Sequence, residues 1–126
     1  MKFKGDIIIL DPCSAVKCDS DWQECGWGAD MGKLGFTRFL CLDEGADCCR
    51  TVRNADTGEI LGHFCTDSAV LVLLDFDELL AYNPGFSDHV KYPASCTVIR
   101  GFDGEATMEN GCFIGRGNIN FVTADS

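Results

Sequence analysis

The pattern of hydrophobic and polar positions is most informative between residues 59 and 84. Residues 60–65 follow a turn at residues 56–58 and predict a strand. Residues 69–74 form an unbroken run of Ala, Val and Leu. Because this run is too short for an ordinary helix, it predicts a strand that is covered on both faces.

A helix is predicted over about residues 75–83, directly after this buried strand. Asp75 and Glu78 have the spacing of a capping box, in which side chains bond the free backbone N–H groups at a helix start. Apolar residues three and four positions apart make one stripe on the helix. Pro84 ends it, because proline disfavours a helical residue before it. The stretch therefore predicts a helix packed on a sheet.

Short apolar segments between turn residues predict strands in the rest of the chain. Asp103-Gly104 and Asn110-Gly111 have the composition of two-residue hairpin turns, and Ser20 and Gln23 predict a short helix over about 20–25. The predicted fold is mainly β (α+β): an antiparallel curved sheet or small barrel-like sandwich with one packed helix. The further predicted strands are residues 7–10, 36–42, 48–53, 96–102, 106–109 and a last strand that includes 119–123.

Length and composition predict a single domain over residues 1–126, with a hydrophobic fraction of 46% that is typical of a folded globule. No apolar run approaches the roughly 18–20 residues that a membrane span needs. The apolar run at residues 7–10 lies between Asp6 and Asp11 and is too short for the core of a signal peptide. We therefore expect a cytoplasmic protein that does not enter a membrane.

The net charge of −10 limits the class of partner. Nucleic acids and anionic membranes are bound through clustered Lys and Arg, so neither is expected to bind directly. The charge keeps an acidic protein soluble, or it serves a partner with a basic surface. Imitation of DNA is disfavoured, because the carboxylates are dispersed among turns and helix starts and form no regular rows.

The nine cysteines are expected to be reduced, structural thiols, since free cysteine behaves as a small hydrophobe in apolar strands. Disulfides and a metal site are the alternatives. The chain has no Cys-x-x-Cys pair, and its two histidines are not spaced with cysteines as zinc ligands are. We therefore expect no metal and no cofactor. The cysteines are residues 13, 18, 25, 41, 48, 49, 65, 96 and 112.

The segment that contains both tryptophans is the first candidate for a functional loop. Trp22 and Trp27 lie in a long crossing without strand patterns, and such ordered loops are uncommon in compact domains. The alternative is that the tryptophans cover the local core. A ligand cleft is predicted near these two residues together with Asp11 and Asp67, each of which follows an apolar strand.

His63, Cys65 and Asp67 form the nearest approach to a catalytic set, on one face of the strand over residues 60–65. Alternate residues of a strand lie about 7 Å apart at Cα, which is too far for direct contact. A Cys–His nucleophile pair normally comes from separate elements. We therefore expect no catalytic residues here and keep His63 as a candidate ligand contact.

Two short motifs resemble those of a group of small uncharacterised proteins from phages and phage-derived bacterial regions. The first is Gly5-Asp6 with Asp11-Pro12-Cys13, where Ser14 takes the place of a tyrosine in that group. The second is Gly62-His63-Phe64 with Asp67-Ser68. The resemblance supplies no activity. It implies a phage or mobile-element accessory protein in the cytoplasm of the host.

These observations favour a non-enzymatic binding or interaction protein that acts on a host protein. The alternative is a protein that binds or sequesters a small ligand, such as a nucleotide, near Trp22 and Trp27. An enzyme that uses Cys65 and His63 is the third hypothesis. Whether the chain forms a homo-oligomer is left open.

Overall fold

Eight antiparallel strands form one sheet in the computed structural model, which describes residues 1–91 and 95–125. This confirms the predicted mainly β, α+β architecture. The strands are β1 (Lys2–Leu10), β2 (Phe39–Asp43), β3 (Cys49–Asn54), β4 (Ile60–Cys65), β5 (Val70–Asp75), β6 (Cys96–Glu109), β7 (Cys112–Gly117) and β8 (Phe121–Asp125). The helices are α1 (Pro12–Ala15), α2 (Asp19–Glu24) and α3 (Phe76–Tyr82), with 3₁₀ turns at Gly26–Gly28, Met31–Leu34 and Pro84–Lys91.

The sheet has the order β2-β5-β1-β6-β7-β8-β3-β4 and curves until one edge meets its own middle. A bulge in β6 promotes this curvature: the register against β1 shifts between Gly5 and Ile7, and Gly101 has φ +61°. The carboxylate of Asp6 accepts hydrogen bonds from the Gly101 N–H at 2.8 Å and from Arg100 at 2.9 Å. The backbone hydrogen bond from Gly101 is the main reason that the pKa of Asp6 is lowered.

The curvature brings β4, at the edge of the sheet, against β6. The hydroxyl of Thr97 on β6 donates a hydrogen bond to the carbonyl oxygen of His63 on β4 at 3.0 Å. Gly62 lies so close to Thr97 that an added Cβ would have to displace it. The sheet therefore encloses an inner core, which contains Phe3, Ile7, Ile9, Val52, Phe64, Leu71, Leu73, Ile99, Phe102, Ala106, Phe113 and Phe121.

The helices cover the outer face of β1 and β5 and form a second, outer core. On β5, Leu71 and Leu73 face the inner core, whereas Val72 and Leu74 face the outer core. All four side chains are fully buried, which confirms the strand predicted to be covered on both faces. Burial of such a side chain contributes roughly 1.5–3 kcal/mol. The outer core contains Ile8, Leu10, Ala15, Cys25, Met31, Phe36, Val72, Leu74, Phe76, Leu79, Phe86 and Cys96.

Helix α3 starts and ends as predicted. The carboxylate of Asp75 accepts a hydrogen bond from the Glu78 N–H at 3.1 Å, which is the expected N-cap contact. Asn83 follows the last helical residue. The carboxylate of Glu78 also accepts hydrogen bonds from the backbone N–H groups of Thr37 and Arg38, which ties α3 to the segment that leads into β2. No helix among residues 1–91 and 95–125 combines the length and apolar character of a membrane span.

One of the two predicted hairpin turns is correct and the other is wrong. Asn110 and Gly111 connect β6 to β7 with φ values of +53° and +74°. Asp103-Gly104, in contrast, lies inside β6, which continues without a break to Glu109. Gly104 faces Gly117 of β7, and a Cβ on it would overlap the backbone carbonyl oxygen of Arg116. Glycine at position 104 therefore serves close strand packing and not a turn.

Other element bounds also differ from the prediction. β8 begins at Phe121, so residues 119 and 120 lie outside the last strand, and β7 was not predicted as a separate strand. β1 begins at Lys2 instead of residue 7, because β6 is long enough to pair with its whole length. β2 begins at Phe39 instead of residue 36, since Phe36 is buried in the outer core. Helix α2 begins at Asp19 with Cys18 as its N-cap, so Ser20 lies inside the helix and forms no capping box.

The expectation that all cysteines are reduced is wrong for one pair. Cys49 of β3 and Cys65 of β4 are directly opposite in the register and form a disulfide, with their Cα atoms 4.1 Å apart. The other seven cysteines carry free thiols. The sequence could not identify this pair, because it depends on the register of the hairpin.

We predict that Gly104→Ala destabilises the fold by about 2 kcal/mol or more, because the new methyl group overlaps the β7 backbone. The control is Gly45→Ala, which lies in an exposed turn at φ +74° with nothing near the added Cβ and should cost only about 1 kcal/mol. Urea unfolding measures both. A smaller cost for Gly104→Ala than for the control would contradict a continuous β6.

Candidate functional site

A cleft of about 330 Å³ lies where α1 and α2 meet the turn between β4 and β5. We call it the tryptophan cleft. It brings together residues that are up to 55 positions apart in the sequence. Its lining consists of Cys13, Val16, Asp19, Trp22, Trp27, Asp67 and Ser68.

Asp11 lies under the cleft and connects its two sides. This carboxylate is 1% exposed and accepts the Cys13 N–H at 2.8 Å, which caps helix α1. It also accepts the backbone N–H groups of Asp67 and Ser68 at 2.6 and 2.8 Å, and the Ser68 hydroxyl at 2.8 Å. Four donors occupy its two oxygens, so Asp11 builds the wall of the cleft and does not line it.

Trp27 is the most exposed part of the cleft. Its side chain is 60% exposed, and its backbone has φ +60°, a conformation that is costly for a bulky residue. The next residue, Gly28, packs closely against the core: a Cβ there would lie 3.1 Å from the Val72 side chain and 3.2 Å from that of Pro12. The exposed Trp27 ring is therefore attached to a tightly packed turn.

Trp22 has a different role from Trp27, and the two rings touch. Their centroids are 4.9 Å apart at an interplanar angle of 76°, an edge-to-face contact. Trp22 is partly buried and packs against the outer core. Trp22 thus covers the local core, which was one of the two alternatives for the tryptophans. Trp27 instead exposes its ring to solvent.

Helix α2 is fixed to α3 through Tyr82. The hydroxyl of Tyr82 donates a hydrogen bond to the carboxylate of Asp21 and accepts the Lys17 N–H at 3.0 Å. The Lys17 ammonium lies 4.6 Å from the centre of the Tyr82 ring. Burial first, and then the bond to Asp21, raise the pKa of Tyr82 far above its usual value. The phenol therefore stays protonated and keeps α2, with Trp22, in place.

The electrostatic character of the cleft is negative. Asp19 and Asp67 are both exposed at its rim. The pKa of the Cys13 thiol is raised, mainly by burial and then by the charges of Asp11 and Asp67. Cys13 therefore remains a neutral thiol, which makes it a poor nucleophile.

Of the five predicted site residues, the structure brings four to the cleft and leaves His63 outside it. Trp22, Trp27 and Asp67 line the cleft, and Asp11 supports it. His63 lies on the exposed side of β4, opposite Thr51 of β3. Successive side chains of β4 point to opposite faces of the sheet, so His63 points away from the inner core, whereas Phe64 lies in it.

The proposed Cys65–His63 pair is not a nucleophile and base in this structure, because the Cys65 sulfur is bonded to Cys49. Across residues 1–91 and 95–125, no group of three or more His, Cys, Asp or Glu side chains is arranged to hold a metal ion.

The sequence reasoning missed Asp19, Cys13 and Ser68 as parts of the cleft. Asp19 could have been found, since a carboxylate in the first turn of a helix beside Trp22 must lie near that ring. Ser68 could not, because its position depends on the bond to Asp11 across 57 residues.

We predict that Asp11→Asn destabilises the protein by roughly 2–3 kcal/mol, because the new NH₂ group cannot accept the hydrogen bonds that the backbone N–H groups donate to the carboxylate. Asp67→Asn removes the same formal charge from an exposed position and should change the free energy of unfolding by less than about 0.5 kcal/mol. Chemical denaturation of both variants is the measurement. Equal losses would show that Asp11 is not the connecting group.

Comparisons with known proteins identify no relative of this chain. The resemblance to small phage proteins thus stays a prediction. No family model, no curated protein and no solved structure matches this chain.

Proposed function

We propose that this chain is a non-enzymatic binding protein whose tryptophan cleft receives a Lys or Arg side chain from a partner protein with a basic surface. The observation that carries the proposal is Trp27, a 60% exposed ring held at φ +60° beside two carboxylates. An indole ring is the best aromatic partner for a cation. Tryptophan is also among the residues that contribute most to protein interfaces.

The negative charge of the cleft favours the binding of a cationic group. Asp19 and Asp67 give its rim two negative charges, and Cys13 adds none because its thiol stays protonated. The net charge of the chain, −10, has the same sign and would increase the rate at which a basic partner arrives. Local and overall electrostatics therefore favour the same kind of partner.

The structure gives the two phage-like motifs one physical location. Asp11 from the first motif accepts hydrogen bonds from Asp67 and Ser68 of the second. The motifs thus build the same wall of the cleft. The resemblance of these two motifs is the basis on which we propose a phage or mobile-element accessory factor that acts on a host protein in the host cytoplasm.

A small cationic molecule is the second candidate for the cleft. The volume of about 330 Å³ lies within the range of small-ligand sites. A nucleotide is disfavoured at this position, because Asp19 and Asp67 would repel its phosphates. An amine or guanidine with a flat or short apolar part fits the chemistry better.

Trp27→Ala tests the protein partner. Immobilised wild-type protein should retain a basic protein from a bacterial lysate, and the variant should bind it at least about 30-fold more weakly. The matched control is Ile60→Ala, which removes another exposed apolar side chain, 46% exposed, outside the cleft. Titration of the purified partner, followed by tryptophan fluorescence, measures the affinity.

The expected partner is released by salt, since charges at a rim are screened at high ionic strength. Equal retention by wild type, Trp27→Ala and Ile60→Ala would contradict the proposal, as would a partner with an acidic surface.

Native mass spectrometry tests the second candidate. A cationic ligand that copurifies would add a discrete mass to wild type, and this mass should be lost in Trp27→Ala and kept in Ile60→Ala. The polypeptide mass alone, together with no change in melting temperature across a panel of amines and guanidines, would count against a small ligand.

A further inference from the structure

A basic surface lies at the end of β1 remote from the tryptophan cleft. The whole chain has ten Lys and Arg against twenty Asp and Glu. Four of those ten cations line a single groove of about 640 Å³, beside two carboxylates. The balance of charge is therefore reversed at this place. The charged residues of the groove are Lys2, Lys4, Arg38, Arg116, Asp103 and Glu105.

The register of the sheet explains why these residues meet. Lys2 of β1 is opposite Glu105 of β6, which is in turn opposite Arg116 of β7. Lys4 is opposite Asp103 in the next row. Opposite residues point to the same face, so the side chains share the outer face of the sheet. We call this surface the basic groove.

The two arginines of the groove are held at defined positions, whereas its two lysines are not. Arg38 donates a hydrogen bond to the carbonyl oxygen of Lys2, which anchors it above the edge of β1. Arg116 of β7 pairs with Glu109 of β6 at 2.9 Å. Among the described residues, Lys2 and Lys4 form no ion pair within 4 Å, and both are exposed.

We infer that the basic groove binds a small molecule that carries two or more phosphate groups. Lys2 and Arg116 are two strands apart, a span of about 10 Å, which exceeds a single phosphate and fits a chain of two or three. Arginine pairs with phosphate through two parallel hydrogen bonds, and lysine adds mobile positive charge. The volume of the groove is that of a site for a small molecule.

An acidic protein segment is the other source of negative charge, and the groove favours it less. Such a segment would need apolar contacts to bind, but the only aromatic side chain of the groove, Phe3, is 2% exposed and faces the inner core. Asp103 and Glu105 lie between the cations and repel either kind of anion, so this repulsion does not distinguish the two ligands. The lack of an exposed apolar surface does.

The inference goes beyond the function proposed for the tryptophan cleft and is tested separately from it. Lys4 and Asp11 are seven residues apart on an extended strand, about 23 Å. Substitutions in one site therefore leave the contacts of the other unchanged. Loss of phosphate binding would not affect the argument for Trp27, and the reverse also holds.

The experiment is a calorimetric titration of inorganic tripolyphosphate into wild type and two double variants. Lys4→Gln with Arg116→Gln removes two cations of the groove. Lys33→Gln with Arg53→Gln removes two exposed or half-buried cations elsewhere and is the matched control, since it changes the net charge equally. We expect binding by wild type, at least tenfold weaker binding by the groove variant, and less than a twofold change in the control.

Binding should also weaken by roughly tenfold between about 50 and 200 mM salt, because screening acts on exposed charges. Parallel titrations with ATP and with vesicles that contain a phosphoinositide distinguish a nucleotide from a lipid headgroup. Either source supports the inference if the groove variant alone loses it. Three results would overturn it: no binding by wild type, equal weakening in both variants, or binding of hexaglutamate in place of tripolyphosphate.

Discussion

The buried carboxylate of Asp11 is the contact on which the half of the molecule that contains the tryptophan cleft depends. It ends β1, caps α1 and holds the turn between β4 and β5 through three further hydrogen bonds. A buried carboxylate is costly unless hydrogen bonds satisfy it, and here four donors do so. The N-terminal strand and the turn at residues 67 and 68 are consequently locked together, and the tryptophan cleft forms between the elements that they position.

The molecule separates its charges along β1. Carboxylates surround Trp27 beyond one end of the strand, whereas lysines and arginines gather at the other. Residues 7–10 of β1 are buried and uncharged, and Asp6, which lies between the two sites, is paired with Arg100 at 2.9 Å. A rigid strand about 30 Å long thus joins an acidic aromatic surface to a basic one.

The Cys49–Cys65 disulfide bears on the predicted cytoplasmic location. Structural disulfides are typical of oxidising compartments and rare in the cytoplasm. The two residues are opposite in the β3–β4 register, with their Cα atoms 4.1 Å apart. The disulfide therefore disfavours the cytoplasmic location, which stays a prediction.

The predictions that the structure confirms depend on residues close together in the sequence. The apolar run of β5, the Asp75 cap of α3 and the Asn110-Gly111 turn are each encoded within a few positions. Local backbone preference and side-chain periodicity decide such features before any tertiary contact forms. The same reasoning identified Trp22, Trp27, Asp11 and Asp67 as residues that could meet, since the tryptophans fall in a crossing without strand patterns and each aspartate follows an apolar strand.

Tertiary structure alone decided the rest, because it depends on which strands become neighbours. Asp103-Gly104 has the local composition of a turn, yet β7 pairs across it and keeps β6 extended. His63 lies outside the cleft because of the side of β4 on which it falls. The disulfide forms because the register of β3 and β4 places Cys49 opposite Cys65. The basic groove combines residues 2–4, 38, 103–105 and 116, which no local pattern relates. Sequence by itself determined β5, helix α3 with its Asp75 cap and the Asn110-Gly111 turn. The order and curvature of the sheet determined the sites, since long-range pairing sets which side chains share a face.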